Sequence, residues 1–88
     1  MINIQFVTVP GCHECAKAKK IFEELKPQYP EMQVTEIDVS TPVGMGLVQK
    51  YGIFSSPGII INDELFSTGA LNKGEFIKKL DELKNYKK

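Results

Sequence analysis

Apolar and polar side chains alternate along the first residues of the chain, and Val7 and Val9 extend this apolar segment. A period of two predicts a β-strand, and the high apolar content indicates a central position in a sheet. From Cys12 onward the apolar side chains instead recur at helical spacing, with lysine and glutamate on the other face. We predict that this helix ends near Lys26, because Pro27 disfavours a helical conformation in the residue before it.

The middle of the chain carries the signals of a second strand and a second helix. Apolar positions predict the strand over residues 34–39, and Asp38 near its end is interpreted as a turn or cap residue rather than a catalytic base. Ser40-Thr41-Pro42 is typical of a helix start, since a hydroxyl cap precedes a proline in the first turn. The helix that follows contains two glycines that lower its propensity, and Gly52 suits its C-cap.

The last third of the chain predicts a hairpin and a terminal helix. The apolar run 59–61 indicates a buried strand, and the Asn62-Asp63 turn leads to a partner strand over 65–68. Asn72 and Glu75 form a capping-box-like pair at the start of the helix. The apolar face of this helix consists of Phe76, Ile77, Leu80 and Leu83. Its C-terminal end, where cations suit the helix dipole, carries Lys84, Lys87 and Lys88.

These segments give the order strand, helix, strand, helix, strand, strand, helix (β-α-β-α-β-β-α). At 88 residues the chain is expected to form one domain, residues 1–88. The first strand–helix–strand unit should be a right-handed parallel crossover, and the last two strands should form a hairpin. We therefore predict an α/β fold with a mixed four-stranded sheet and helices on both of its faces.

The charge balance argues against some classes of partner, although it does not exclude a local charged patch. Eleven basic and eleven acidic residues leave a formal net charge of zero, whereas a nucleic-acid binder normally needs a basic face. No apolar stretch approaches the ~18 residues of a membrane helix, and the N-terminus lacks the features of a signal peptide. We therefore expect a cytoplasmic monomer that binds neither nucleic acid nor membranes.

The segment Cys12-His13-Glu14-Cys15 is the most informative about function. It contains the only two cysteines of the chain and lies between a Pro10-Gly11 turn and the first predicted helix. A disulfide within C-x-x-C stabilises a fold little, because closing a short loop constrains the unfolded chain little. In a reducing compartment the pair indicates thiol–disulfide catalysis or metal binding. Two inert core cysteines are the remaining alternative.

Thiol–disulfide exchange requires a reactive thiolate and a second thiol that resolves the mixed disulfide. Cys12 is predicted at or just before the first helical residue, where unpaired N–H groups and the helix dipole favour a thiolate. Such positions lower the pKa of a thiol from ~8.5 to between ~3.5 and ~7.5. We therefore assign Cys12 as the catalytic nucleophile and Cys15, one turn further into the helix, as the catalytic resolving thiol.

The two residues between the cysteines can tune the pair. His13 can stabilise the Cys12 thiolate, whereas the carboxylate of Glu14 opposes it. At pH 7 an imidazole with the reference pKa of ~6.5 is mostly neutral, while a carboxylate is charged. We hypothesise a pair closer to a reductant than to a strong oxidant, because a less stabilised thiolate favours the disulfide. The alternative is that both side chains are solvated and have a negligible effect.

The element order, with C-x-x-C at the start of the first helix, resembles the thioredoxin fold over nearly the whole chain. The short length is similar to that of a glutaredoxin or a small thioredoxin-like protein. Residues 51–57, Tyr-Gly-Ile-Phe-Ser-Ser-Pro, resemble the family segment that carries a cis-proline before an apolar strand. The resemblance implies a cis bond at Pro57. It also implies that Gly11, Ser56 and Pro57 border the groove in which substrate docks.

The chain departs from the best-known members of this family at several positions. Phe6 occupies the position at which typical thioredoxins have a buried aspartate. Ser55-Ser56 stands where glutaredoxins often have Thr-Val, and Gly69-Ala70 retains only half of their Gly-Gly pair. The resemblance therefore leaves the electron donor open between a thiol reductase and glutathione.

The expected activity is that of an enzyme, a dithiol–disulfide oxidoreductase that reduces protein or small-molecule disulfides. Its redox group would be the Cys12–Cys15 disulfide, so no bound cofactor or metal is expected. A metal or iron–sulfur binding module is an alternative, although Cys12, His13 and Cys15 offer at most three ligands where a structural zinc site uses four. A relay that passes electrons to one particular enzyme is a second alternative.

Overall fold

A computed structural model of the protein describes residues 2–86, and within them no helix is both long and apolar enough to cross a membrane. The strands are β1 (Ile2–Thr8), β2 (Met32–Asp38), β3 (Gly58–Ile61) and β4 (Glu64–Thr68), and the helices are α1 (His13–Leu25), α2 (Pro42–Tyr51) and α3 (Lys73–Tyr86). The order predicted from the sequence is confirmed. Lys87 and Lys88, which the prediction places at the end of the last helix, lie outside the described residues.

One mixed sheet of four strands organises the chain, in the order β2-β1-β3-β4. β1 pairs in parallel with β2 and antiparallel with β3, and β3 and β4 form the predicted hairpin. The register places Phe6 of β1 beside Glu36 of β2, and Val7 of β1 beside Gly58 of β3. β1 is therefore an internal strand, which explains its high apolar content.

Side chains on the two faces of β1 enter two separate parts of the core. Phe6 lies in the larger cluster, where its ring centroid is 4.9 Å from that of Phe22 on α1. Phe22 is in turn 5.3 Å from Phe76 on α3, measured between ring centroids. Val7 lies on the opposite face, where it packs with Ile60 and with side chains of α2. Helices therefore cover both faces of the sheet, as the sequence predicts.

Local capping signals place the helix ends close to their predicted positions. Thr41 Oγ1 accepts a hydrogen bond of 3.1 Å from the backbone N–H of Gly44 and so caps the start of α2. Gly52 ends α2 in the left-handed conformation, with a φ of 66°. Asn72 Oδ1 accepts a hydrogen bond of 2.9 Å from the backbone N–H of Glu75 at the start of α3.

The second strand begins two residues earlier than the predicted start at residue 34. Its first residue, Met32, is fully buried and belongs to the larger core cluster. A backbone hydrogen bond of 2.9 Å from Met32 N–H to the Tyr29 carbonyl closes the preceding loop. One apolar residue between two polar ones does not by itself establish an alternating pattern, so the sequence did not show this start.

Tyr29 connects the loop after α1 to the terminal helix. The sequence gives this residue no role beyond packing, and its ring is buried in the larger cluster. Its hydroxyl also donates a hydrogen bond of 2.6 Å to Asp81 Oδ1 on α3. This hydrogen bond, together with burial and the negative charge of Asp81, raises the pKa of Tyr29. The contact joins residues 52 positions apart in sequence, so it needs the folded chain.

Gly44 allows α2 to approach β2 closely. A Cβ atom at this position would overlap the carbonyl oxygen of Asp38 and would lie 2.7 Å from the Cα atom of Val39. At Gly46, in the same helix, a Cβ atom would meet nothing within 4 Å. The two glycines that weaken this helix in the sequence therefore differ in their tertiary contacts.

We predict that Gly44→Ala lowers the free energy of unfolding by about 1–3 kcal/mol, because the backbones of α2 and β2 must move apart. Gly46→Ala should instead raise it by about 0.5–1 kcal/mol, because alanine is the better helix former. Urea denaturation followed by circular dichroism measures both values. Equal effects of the two substitutions would contradict the close approach at Gly44.

Candidate active site

A sharp turn at the end of β1 places Cys12 at the start of α1. Gly11 in this turn has a φ of 73°, in the left-handed region that favours glycine. Cys12 is the N-cap of α1, with extended backbone angles of −85° and 114°, and the helix begins at His13. The nucleophile assigned from the sequence therefore lies directly before the first helical residue.

Cys12 and Cys15 are joined by a disulfide bond, with their Cα atoms 5.2 Å apart. Cys15 is 6% exposed and packs in the larger core cluster, whereas Cys12 is only partly buried. A disulfide or reductant that approaches from solvent therefore reaches Cys12 before Cys15. This difference in exposure supports the division of roles that the sequence suggests.

The backbone of α1 contacts the sulfur of Cys12 directly. The N–H of Cys15 donates a hydrogen bond to Cys12 Sγ, with a nitrogen–sulfur distance of 3.0 Å. N–H groups in the first turn of a helix have no intrahelical acceptor and lie at the positive end of the helix dipole. In a reduced pair, donors in this position favour a thiolate over a thiol.

The side chains between the cysteines lie at the protein surface. His13 is exposed, and Glu14 is partly buried. Glu14 Oε2 is 3.5 Å from Lys17 Nζ, one helical turn further along, and both side chains remain accessible to solvent. Lys17 therefore offsets part of the negative charge that Glu14 brings to the cysteine pair, and solvent screens much of the rest.

The Ser56–Pro57 peptide bond is cis, and it lies in the loop between α2 and β3. Pro57 is buried, and the next residue, Gly58, pairs with Val7 of β1. A Cβ atom at Gly58 would lie 2.8 Å from Ile53 Cδ1, so this glycine allows Ile53 to pack against β3. The antiparallel register brings the loop to the same end of the sheet as the turn that precedes Cys12.

Five of the seven site residues assigned from the sequence line two cavities, and Glu14 and Pro57 line neither of them. Gly11, His13 and both cysteines line a cavity of about 500 Å³ at the mouth of α1. Ser56 lines a second cavity of about 340 Å³ between α2 and the cis-proline loop. Val9 at the end of β1 lines both cavities. The structure therefore places the redox pair and the loop side by side, in two cavities with a shared wall.

Asp38 lies in the cysteine cavity and is held in a turn. Its Oδ1 atom accepts hydrogen bonds from the backbone N–H and the hydroxyl of Ser40, at 2.8 and 2.7 Å. These two hydrogen bonds, the backbone one first, lower the pKa of Asp38 below its ordinary value. A carboxylate held in this way suits the turn role that the sequence suggests.

Glu36 also lines the cysteine cavity, although the sequence did not single it out as a site residue. It lies two positions before Asp38 in β2, on the same face of the strand. Its Oε1 atom is 3.6 Å from Lys19 Nζ on α1, and both side chains are about half exposed. The alternation in the predicted strand places residues 36 and 38 on one face, but only the folded chain shows that this face meets the cysteines.

An apolar surface adjoins the second cavity. Phe54 is 94% exposed, and Val43 and Met45 on α2 are 62% and 51% exposed. Met45 and Phe54 line the cavity that also contains Ser56. Val43 lies two residues before Met45 and therefore on a different face of α2, so the apolar surface consists of Met45 and Phe54. Large exposed apolar side chains that occur together indicate a surface at which another molecule docks.

The side chains that could bind a metal ion do not cluster in the described part of the chain. Between residues 2 and 86, no group of three or more histidine, cysteine, aspartate or glutamate side chains lies close enough to hold a metal ion. Cys12 and Cys15 are bonded to one another instead. A redox-active dithiol fits this arrangement.

Comparison with known proteins identifies relatives of the chain. A family model described as a thioredoxin domain matches residues 2–82. A protein named probable thioredoxin from Archaeoglobus fulgidus is 27% identical over 84 residues, which cover 96% of this chain and 91% of that protein. A thioredoxin from Methanocaldococcus jannaschii is 30% identical over 78 residues, which cover 88% of this chain and 89% of the relative.

Solved structures share the fold. Oxidised thioredoxin O2 from Arabidopsis thaliana superimposes with a TM-score of 0.74 at 13% identity, over 94% of this chain and 75% of that chain. The relatives and the C-x-x-C pair together support a thioredoxin-like redox role. With a family match over residues 2–82, the chain belongs to the thioredoxin family.

Proposed function

We propose that the protein is a dithiol–disulfide oxidoreductase that reduces disulfide bonds. The observation that carries this proposal is the Cys12–Cys15 disulfide at the start of α1, with a backbone N–H group donating to Cys12 Sγ. The disulfide itself accepts and returns two electrons, so this chemistry needs no further redox group.

The proposed cycle starts with Cys12 as a thiolate. It attacks one sulfur of the substrate disulfide, so that a mixed disulfide forms and one substrate thiolate leaves. Cys15 then loses its proton and attacks Cys12 Sγ, which releases the second substrate thiolate and closes the Cys12–Cys15 disulfide. Two electrons have passed to the substrate, and an external thiol donor restores the dithiol.

Protein disulfides are the proposed main substrates. The exposed side chains of Met45 and Phe54 offer apolar contacts to a polypeptide segment beside its disulfide. A small polar disulfide gains little from such a surface. Gly11 in the cysteine cavity and Ser56 and Pro57 in the neighbouring loop are the proposed docking residues closest to the reaction.

The proposed setting is the reducing cytoplasm, where the protein acts as a monomer. A thiol reductase and glutathione are the two candidate electron donors. The rate at which each donor restores the Cys12–Cys15 dithiol, measured under identical conditions, separates them.

The first prediction of this proposal concerns the two cysteines. Cys12→Ser should lower disulfide reductase activity by roughly 100-fold or more, because it removes the nucleophile. Cys15→Ser should trap the mixed disulfide, which intact-protein mass spectrometry detects as an adduct on Cys12. Thermal unfolding of both reduced variants controls for the fold. Normal turnover of protein disulfides by Cys15→Ser would show that the dithiol mechanism is wrong.

Replacement of Phe54 tests the proposed substrate class. Phe54→Ser should lower kcat/KM for a protein disulfide such as that of insulin by about fivefold to tenfold, as expected for loss of an apolar contact of ~1 kcal/mol. The rate with a small aromatic disulfide should change little. Leu65→Ser is the matched control, because Leu65 is 39% exposed on β4, away from both cavities. Equal losses with both substrates would argue against protein docking at Phe54.

The charge of Glu14 should affect the reduction potential. Glu14→Gln removes a negative charge beside the Cys12 thiolate, stabilises the reduced form and should make the potential less negative by roughly 10–30 mV. Lys17→Gln leaves Glu14 without its partner and should shift the potential in the opposite direction. Titration in defined dithiol buffers, followed by alkylation and mass spectrometry, measures both shifts. A more negative potential for Glu14→Gln would refute this electrostatic role.

A further inference from the structure

The resolving step needs a proton acceptor that the central strand does not supply. Cys15 must become a thiolate before it can attack the mixed disulfide. It is almost fully buried, and burial disfavours the charged form of a thiol. Phe6 lies on β1 in the same core cluster as Cys15, and its side chain cannot accept a proton. The acceptor must therefore come from another element.

The neighbouring strand places Glu36 in a suitable position. Glu36 is the register partner of Phe6, so the two side chains lie on the same face of the sheet, beneath α1. Lys19 is one helical turn after Cys15 on α1, and its Nζ atom is 3.6 Å from Glu36 Oε1. The register and the ion pair place the carboxylate next to α1, one helical turn from Cys15.

A cavity connects the two groups. Cys15 and Glu36 both line the cavity of about 500 Å³ at the mouth of α1. A water molecule occupies roughly 30 Å³ in the liquid, so this space has room for a short chain of water molecules. Because the Glu36 side chain is about half exposed, a proton that the carboxylate receives can pass on to solvent.

We propose that Glu36 accepts the proton of Cys15, through water in this cavity, when the mixed disulfide is resolved. This inference rests on the proposed oxidoreductase function. The proton moves from Cys15 Sγ to the Glu36 carboxylate, and the resulting thiolate bonds to Cys12 Sγ. The bond from Cys12 to the substrate breaks, and the substrate leaves as a thiolate with two more electrons than it had in the disulfide.

Other ionisable groups near the pair are less suited to this role. Asp38 shares the cavity, but its carboxylate already accepts two hydrogen bonds from Ser40 and holds its proton weakly. His13 is exposed beside Cys12 rather than Cys15. Lys19 already pairs with Glu36. Glu23 and Lys26 line a separate cleft between α1 and β2, which adjoins the cysteine cavity at Lys19 and Glu36.

The two thiol steps can be measured separately with one equivalent of dithionitrobenzoate, an aromatic disulfide whose thiolates are coloured. The reduced wild-type protein should release one thiolate in a bimolecular phase, when Cys12 attacks. A second thiolate should follow in a unimolecular phase, when Cys15 closes the disulfide. In Glu36→Gln the second phase should be about 100-fold slower at pH 7, at the lower end of the ~10²–10⁴-fold effect of a positioned base. The first phase should stay within about twofold.

The pH dependence distinguishes proton transfer from a structural effect. Carboxyl groups are ionised between about pH 6 and 8, whereas a free thiol ionises near ~8.5. The second phase of the wild type should therefore change little over this range, while that of Glu36→Gln should rise roughly tenfold per pH unit. Glu36→Asp, which keeps a carboxylate, should recover part of the rate at pH 7.

Glu23→Gln is the matched control, because it removes a carboxylate from the adjoining cleft and not from the cysteine cavity. It should leave both phases unchanged. An unchanged second phase in Glu36→Gln, or a decrease in its rate that is equal at every pH, would overturn the role of Glu36 and leave the oxidoreductase proposal standing. If the wild type released no second thiolate, the dithiol function itself would be wrong.

Discussion

The hydrogen bond from the Cys15 N–H group to Cys12 Sγ requires α1 to begin directly after Cys12. The turn through Gly11 makes this possible, because its positive φ lets the chain turn between the end of β1 at Thr8 and the N-cap at Cys12. The polar end of a helix then meets a sulfur atom at the surface, while the next turn of the same helix enters the core. One short segment thus supplies both an accessible cysteine and a buried one.

The core holds this arrangement in place and also limits its chemistry. Phe6, Phe22 and Phe76 join β1, α1 and α3 through edge-to-face ring contacts, and burial of each such ring contributes on the order of 1.5–3 kcal/mol. Phe6 fills the space behind the cysteines with an apolar ring. The ionisable side chains that line the cysteine cavity consequently come from the edge strand β2 and from α1.

The ion pairs near the cysteines contribute little to the stability of the fold, and their proposed effect is on the redox chemistry. Lys17–Glu14 and Lys19–Glu36 are solvent-accessible ion pairs, and such pairs usually stabilise a protein by only ~0–1 kcal/mol. Each nevertheless places a carboxylate near one cysteine. Glu14 is one of the two residues between the cysteines, and Glu36 lines the same cavity as Cys12 and Cys15.

The sequence by itself determined the element order, the position of Cys12 at the helix start and the ends of α2, because periodicity, caps and glycine conformations act within a few residues. The family resemblance, carried by residues 51–57, led us to expect the cis bond at Pro57. Only the tertiary structure decided which side chains from distant segments meet. The contact between Tyr29 and Asp81, the space that Gly44 leaves for Asp38, and the presence of Glu36 in the same cavity as Cys15 all depend on strand register and helix packing, which no local pattern encodes.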